Sequence, residues 1–448
     1  MTTLTRTSLL SITPPELFMT ETIAKDFRVA IVGGGICGLV GAIGLVRAGI
    51  KVDIFEAASK YGEVGAGVGI GPNAVRVLRE FGLLDDVESF SPEDPPSVRA
   101  FKFILGTGTH DMLYHYPTRE DDLGLGVHRA SFLDALVKFL DPSVTPTHFN
   151  KRCNQISRSN ENPLRIILGF SDGTSHETDL VIGADGIRSS VRSMIIQDGS
   201  KAEMPTFTNT VAYRGLVSIE KLKLAGVKTE LTPSPICWMG DSRHIITFPI
   251  KNDHVLNVVA FVTDFSIPMG HLTLPKGEPW VVPVSKEEVV NEYEDWGNDP
   301  LTILKSIEQP TKWSLHGLYP PLNSYVKGKV GLIGDAAHAM LPHMGAGAGQ
   351  GIEDAYVMTR LLAHQQTKAS NLEDVLQAYD RIRRPRANAV LLRSKACGDI
   401  YEGHGESGPS SRGRETDLQY LWEEVWHHDL DADIQVGIDW LRDEGVFV

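Results

Sequence analysis

The chain has 448 residues, 42% hydrophobic and 22% charged, with a formal net charge of -14. Two or three globular domains fit that length, while the acidic balance without a basic block argues against nucleic acid as a partner. No apolar run approaches the roughly 20 residues of a membrane helix, so no membrane partner is expected. The four cysteines, Cys37, Cys153, Cys237 and Cys397, are scattered and form no CxxC pair. Neither a metal site nor a disulfide framework is expected, and a reducing, cytoplasmic setting is. Residues 1–25 lack the basic start and apolar core of a signal peptide and read as a loose tail, with Met19 equally able to serve as a start.

Residues 27–32 are an apolar strand, followed by Gly33-Gly-Gly-Ile-Cys-Gly38, an apolar helix over 39–48 and a second strand over 51–55 closed by Glu56. This is a complete βαβ unit carrying G-x-G-x-x-G. Gly33 makes the turn, Gly35 lets the backbone approach a pyrophosphate, and Gly38 lets helix and strand pack closely. Glu56 stands where a carboxylate accepts from adenosine ribose hydroxyls, and an acid here rather than an arginine fits an unphosphorylated ribose. Residues 62–74 are a second glycine-rich stretch leading into a helix through Glu80. Residues 127–136 begin another helix with Arg129 at its start. The dipole does not favour a cation there, so Arg129 is either a phosphate or polyol ligand or a surface charge. A strand over 164–170 ends in the hairpin turn Ser171-Asp-Gly-Thr174. Residues 179–192 run strand, turn, helix, with Asp185 closing the strand beside Gly186.

From 204 to 318 the texture changes. Strands over 211–217, 245–250 and 256–262 follow one another without long helices, which predicts a separate, largely antiparallel sheet. Arg214, alone in an apolar strand, is either an anion ligand or half of a structural ion pair. Arg243 and His244 sit in a turn entering a strand, where surface positions are usual. Residues 285–306 read as a charged, solvated helical face. Residues 330–333 form a buried strand ending at Gly334-Asp335, and a loop with Gly345, Gly347 and Gly349 opens a helix near Gly349. The free N–H groups at that helix start suit the electron-rich end of a ring or a phosphate. Helices are expected over 372–379 and 381–394. The run Arg381-Ile-Arg-Arg-Pro-Arg386 reads as a surface basic patch, 403–416 as loop, and 418–440 as an acidic stretch with Trp422 and Trp426.

Taken together, Gly33-x-Gly35-x-x-Gly38 with Glu56, Gly183-Ala-Asp-Gly186 and Gly334-Asp335 resemble the single-component flavoprotein aromatic hydroxylases with the p-hydroxybenzoate hydroxylase fold. Phe55-Glu-Ala-Ala58, Gly62-Glu-Val-Gly-Ala-Gly67, Ala212-Tyr-Arg-Gly215, the stretch 341–355 and Trp426-His-His-Asp-Leu-Asp431 look like the salicylate hydroxylases within that family. The resemblance implies an α/β fold: a Rossmann-like FAD-binding domain over 27–203 and 319–400, an inserted, mainly antiparallel substrate sheet over 204–318, and a C-terminal helical region over 401–448. It implies FAD held by Gly33, Gly35, Gly38, Glu56, Arg129, Asp335, Gly347 and Ala348, with Asp185 near the pyrophosphate and the path of the nicotinamide. NADH or NADPH would reduce FAD, oxygen would add at the flavin C4a position, and an electron-rich ring carbon would be hydroxylated with loss of carbon dioxide. The partners are then a small aromatic substrate and oxygen, with the chain a monomer or homodimer. The substrate would be salicylate, or alternatively a related or larger phenol. Arg214, His244, Phe248, Pro342 and His343 would line its site. His343 is the candidate base for the phenolic proton, since imidazole titrates near neutral pH, the alternative being a hydrogen bond at the helix start. Phe265 is apolar at the end of the 258–264 strand, which leaves Arg214 or His244 to meet a carboxylate.

Overall fold

The computed structural model describes residues 24–62, 67–89, 100–120, 122–196, 204–250, 253–275 and 277–448. Most of the expected N-terminal tail, and residues 63–66 of the second glycine-rich stretch, lie outside the described residues.

The expected α/β architecture is present. Six strands form the nucleotide-binding sheet in the order Val326–Lys327, Val330–Leu332, Leu180–Gly183, Arg28–Val32, Lys51–Phe55 and Thr147–His148. Every neighbouring pair is parallel except the first. Helices cover a parallel sheet on both faces, which is why its strands are apolar throughout; Val29, Ala30 and Ile31 are fully buried. The helix Ile36–Arg47 packs on the later helix Gly347–Ala363, so two glycine-rich loops from opposite ends of the sequence share one end of the sheet. Glycine permits that approach, since a Cβ on Gly351 would lie 2.3 Å from Cys37 Sγ.

The second sheet has eight strands, in the order Val281–Pro283, Thr311–Gly317, Thr206–Ser218, Val255–Thr263, Arg243–Ile250, Ile236–Met239, Lys102–Leu105 and Met112–His115. All neighbours are antiparallel except Ile236–Met239 with Lys102–Leu105. The last two strands come from within the 27–203 stretch, so this sheet is assembled from two parts of the chain.

Strand alternation gives the sheet two faces. Tyr213, Val217, Trp238, Ile245, Val258 and Ala260 form one buried cluster with Val289, Tyr293, Trp296, Ile303 and Leu304. The charged segment expected to be a solvated face therefore supplies core residues, through the helices Lys286–Asn291 and Asn298–Lys305. The cross-strand partners Ala212 and Phe261, Arg214 and Val259, His244 and Phe261, and Phe248 and Asn257 lie on the opposite face.

Two helices expected over 372–394 are one, Leu372–Tyr401, 30 residues long and continuous through Pro385. At about 1.5 Å per residue it is roughly 45 Å long. Tyr379 donates to Leu332 O of the nucleotide sheet at 2.8 Å, while Cys397, Ile400 and Tyr401 pack with Phe103, Cys237 and Met239 of the second sheet. The stretch 403–416, expected as loop, contains the start of the helix Ser411–Leu418, capped by Ser410 Oγ. Among the described residues no helix is long and apolar enough to cross a membrane.

Candidate active site

The first glycine loop forms a backbone cradle. Gly33 has φ +111°, and a Cβ there would lie 2.3 Å from Ala184 O; one on Gly38 would lie 2.1 Å from Gly33 O. Side chains are excluded, and the N-terminus of Ile36–Arg47, with Gly35 as its cap, stays open to a phosphate. Glu56 accepts from Gly34 N–H and Ala58 N–H, each at 2.7 Å. Each carboxylate oxygen keeps a second lone pair for a ribose hydroxyl. Burial, then Asp335 and Asp354, push the Cys37 thiol up, while Arg129 opposes them. Arg129 and Asp335 thus stand beside the first loop, and Asp335 is exposed there. Gly347 and Ala348 open the second helix, at Gly347 rather than near Gly349. Their N–H groups have no carbonyl partner within that helix. These features fit FAD at both its phosphate and ring ends.

Asp185 is differently occupied. Its carboxylate accepts from Ser189 Oγ at 2.5 Å, from Ser190 N–H and Oγ at 2.7 and 3.0 Å, and from Val191 N–H at 3.1 Å. It braces the start of the helix Ser190–Ile195, whose N-cap is Ser189, rather than standing free for a ligand. Buried Arg192 donates to Ala336 O at 3.0 Å and Ile187 O at 2.6 Å, tying that turn to the Gly334-Asp335 turn.

Arg214, His244 and Phe248 share the sheet face described above. Arg214 lies over the Trp313 ring at 4.6 Å, and its buried Nε has no hydrogen-bond partner. Burial, then Arg129, lower its pKa. Among the described residues no carboxylate forms an ion pair with Arg214, so its partner within the chain is the Trp313 ring. His244 is not a surface residue: it is fully buried, stacked on Phe261 at 4.3 Å, with Nδ1 2.8 Å from Glu402 Oε1. Arg243 is half-buried at the edge of the other face, paired with Asp295 at 2.9 Å and lying over the Tyr293 ring.

Pro342 is exposed at the start of the turn Pro342–Met344, which is pinned by Ser394 Oγ donating to Leu341 O at 2.6 Å and Trp422 Nε1 donating to Met344 O at 3.0 Å. His343 is buried, its ring 5.1 Å from both His244 and Phe261. Gly398 makes room for it, since a Cβ there would lie 2.6 Å from His343 Cδ2. Burial, then His244, then Lys395, push His343 well below the usual imidazole value, which favours its neutral form. Phe265 lies apart from this pocket, stacked on His404 at 3.7 Å.

Sequence reasoning missed Glu402, Tyr401 and the carboxylates Glu353 and Asp354. The expected surface patch over 381–386 is also corrected: Arg383 is fully buried between Glu353 and Asp354, both at 2.8 Å, and Arg386 reaches Glu353 as well. Helical period supplies the reason. Arg383 and Arg386 face inward, while Arg384 pairs with Asp380 and Arg381 lies over Trp440.

Replacing Glu56 by Ala is expected to weaken FAD retention by about 1.5–3 kcal/mol, through lost charge-assisted bonds. The FAD dissociation constant measures it, and an unchanged value would remove Glu56 from the ribose site.

A sequence model of the FAD binding domain family matches residues 26–394. A salicylate hydroxylase of Pseudomonas putida is 41% identical over 415 residues, 91% of this chain and 94% of that protein. A 6-methylsalicylate 1-monooxygenase of Aspergillus terreus is 35% identical over 422 residues, 92% of this chain and 89% of that protein. A solved salicylate hydroxylase substrate complex superposes with a TM-score of 0.83 at 34% identity, covering 92% of this chain and 98% of that one. With the cradle, the two helix starts and the second sheet arranged as described, the chain belongs to the FAD-binding-domain family of flavoprotein monooxygenases that includes the salicylate hydroxylases.

Proposed function

We propose that the chain converts salicylate to catechol, with one NADH or NADPH, one oxygen molecule and two protons consumed, and carbon dioxide and water released. The observation that carries this is a set of buried polar atoms without protein partners, Arg214 Nε, His244 Nε2 and His343 Nδ1, around a wall that includes Ala212, Val259 and Phe261. Buried polar atoms are normally satisfied. An aromatic ring bearing a carboxylate and a hydroxyl satisfies these while its face packs on the wall. The names of the relatives support the same substrate class.

The chemistry FAD supplies when bound is two-electron reduction by the nicotinamide and delivery of an electrophilic oxygen atom. Arg214, which has Arg129 nearby and is not neutralised by a carboxylate, holds the substrate carboxylate. His343 is kept neutral by burial and accepts the phenolic proton at Nδ1, enriching the ring in electrons. Oxygen then bonds to the ring carbon that carries the carboxylate. The carbon–carboxylate bond breaks, its electron pair restores the ring, and carbon dioxide leaves. Pro342 and Phe248 line the same site, and the apolar wall limits water.

The experiment is NADH oxidation driven by salicylate, with catechol and carbon dioxide quantified, in the parent and in Arg214→Ala. The parent is expected to form both products stoichiometrically, and the variant to bind salicylate on the order of 10–100-fold more weakly, the loss of a charge-assisted pair. Oxidation driven only by phenols lacking a carboxylate would favour the larger-phenol alternative.

A further inference from the structure

His343 and Arg214 leave one buried pair unused. His244 Nδ1 lies 2.8 Å from Glu402 Oε1, with the two side chains 0% and 2% exposed. Glu402 follows the last residue of Leu372–Tyr401 and accepts Ser242 N–H through its backbone oxygen at 2.9 Å, which locks it against the start of the His244 strand. The other His244 nitrogen, Nε2, is buried without a partner, in a ring 5.1 Å from His343.

We propose that Glu402 is a positioning residue: its carboxyl proton is donated to His244 Nδ1, fixing the tautomer in which Nε2–H donates to the phenolate oxygen that forms when His343 takes the proton. This rests on the substrate assignment above and adds a residue to it. A neutral imidazole carries one N–H, so an accepting Nδ1 requires Nε2–H. An ion pair at this position would bury two charges. It would also set a carboxylate at the negative end of a 30-residue helix. Burial pushes Glu402 up to about 8 and His244 down, so the pair is a neutral acid on a neutral base. Thr263, Asp399, His404 and Lys395 face Glu402. Tyr293 and Cys237 lie close enough to feel its charge, and Tyr401 and His343 flank the His244 ring. As pH rises through about 8, Glu402 ionises, the proton settles on Nδ1, and Nε2 turns from donor to acceptor.

The test uses the FAD-loaded enzyme. Nitrogen-15 spectra of labelled histidine should show His244 with its proton on Nε2 near pH 7 and on Nδ1 at alkaline pH. Glu402→Gln, whose amide donates and cannot ionise, should show no such inversion. In turnover with salicylate, the parent kcat should fall through that range with salicylate affinity little changed, and Glu402→Gln should lose the limb. Glu402→Leu should lower kcat on the order of 10-fold or more; if it does not fold, the Gln variant carries the test. A proton on Nδ1 near pH 7, or an alkaline limb retained in Glu402→Gln, would overturn the proposal. An intact inversion in a parent that does not turn over salicylate supports the Glu402–His244 tautomer and refutes only the substrate assignment.

Discussion

His343→Ala is expected to lower catechol formation on the order of 10²–10⁴-fold while FAD stays bound. The hydroxyl of salicylate is a weak acid because its own carboxylate holds the proton, so a placed base has a large effect. The imidazole lies beneath Gly398, beside His244 and Phe261, with Nδ1 unpartnered. Its removal leaves the ring protonated and poor in electrons. Reduction by NADH continues, and oxygen is released as hydrogen peroxide. Because burial holds His343 below its ordinary value, it is neutral across neutral and alkaline pH. The loss in the variant should therefore show no step near the ordinary imidazole value, and should narrow only above about pH 8, where the parent itself slows as Glu402 ionises. The measurement is catechol formed per NADH consumed, across pH, in parent and variant. Equal coupling in the two proteins would leave His343 as a packing residue between the sheet and the long helix.

The nucleotide-binding half was legible because its signals are local. Gly33 to Glu56 is one contiguous unit in which each residue's task follows from its place in the turn, helix or strand. Arg214 stood out for a related reason: a charge inside an apolar strand needs a partner. His244 and Glu402 did not, because they are 158 residues apart and meet only when the end of the long helix docks on the second sheet. Nor did the inward turn of Arg383. A run of arginines looks solvated until the helix is seen to continue through Pro385, which sets the faces of 383 and 386 toward Glu353. The strands Lys102–Leu105 and Met112–His115 were hidden likewise, since they pair with a sheet whose other strands come much later in the chain.

Arg383→Met is expected to destabilise the protein by about 3–5 kcal/mol, the usual cost of removing one partner from a buried charge cluster. Arg383 donates to Asp354 Oδ1 and Glu353 Oε2, both at 2.8 Å, and to Gln350 Oε1 at 3.0 Å. Methionine fills a similar volume but answers neither carboxylate. Arg386 still holds Glu353, so the loss falls mainly on Asp354. Asp354 also accepts Gly334 N–H at 2.9 Å and bonds His338 at 2.5 Å, so the turn that carries Asp335 loosens with it and FAD retention falls. Burial alone would raise Asp354, but His338 and Arg383 outweigh it and hold its pKa at about 2. A carboxylate with a lowered folded pKa contributes stability above its unfolded value, about 3.9, and that contribution is lost as pH falls toward 2. The gap between parent and variant should then be full at neutral pH and narrow only below about pH 4. Denaturant unfolding of both proteins without FAD, at neutral and acid pH, measures the gap, and FAD titration measures the turn. Coincident unfolding curves at neutral pH would show that the cluster is replaceable.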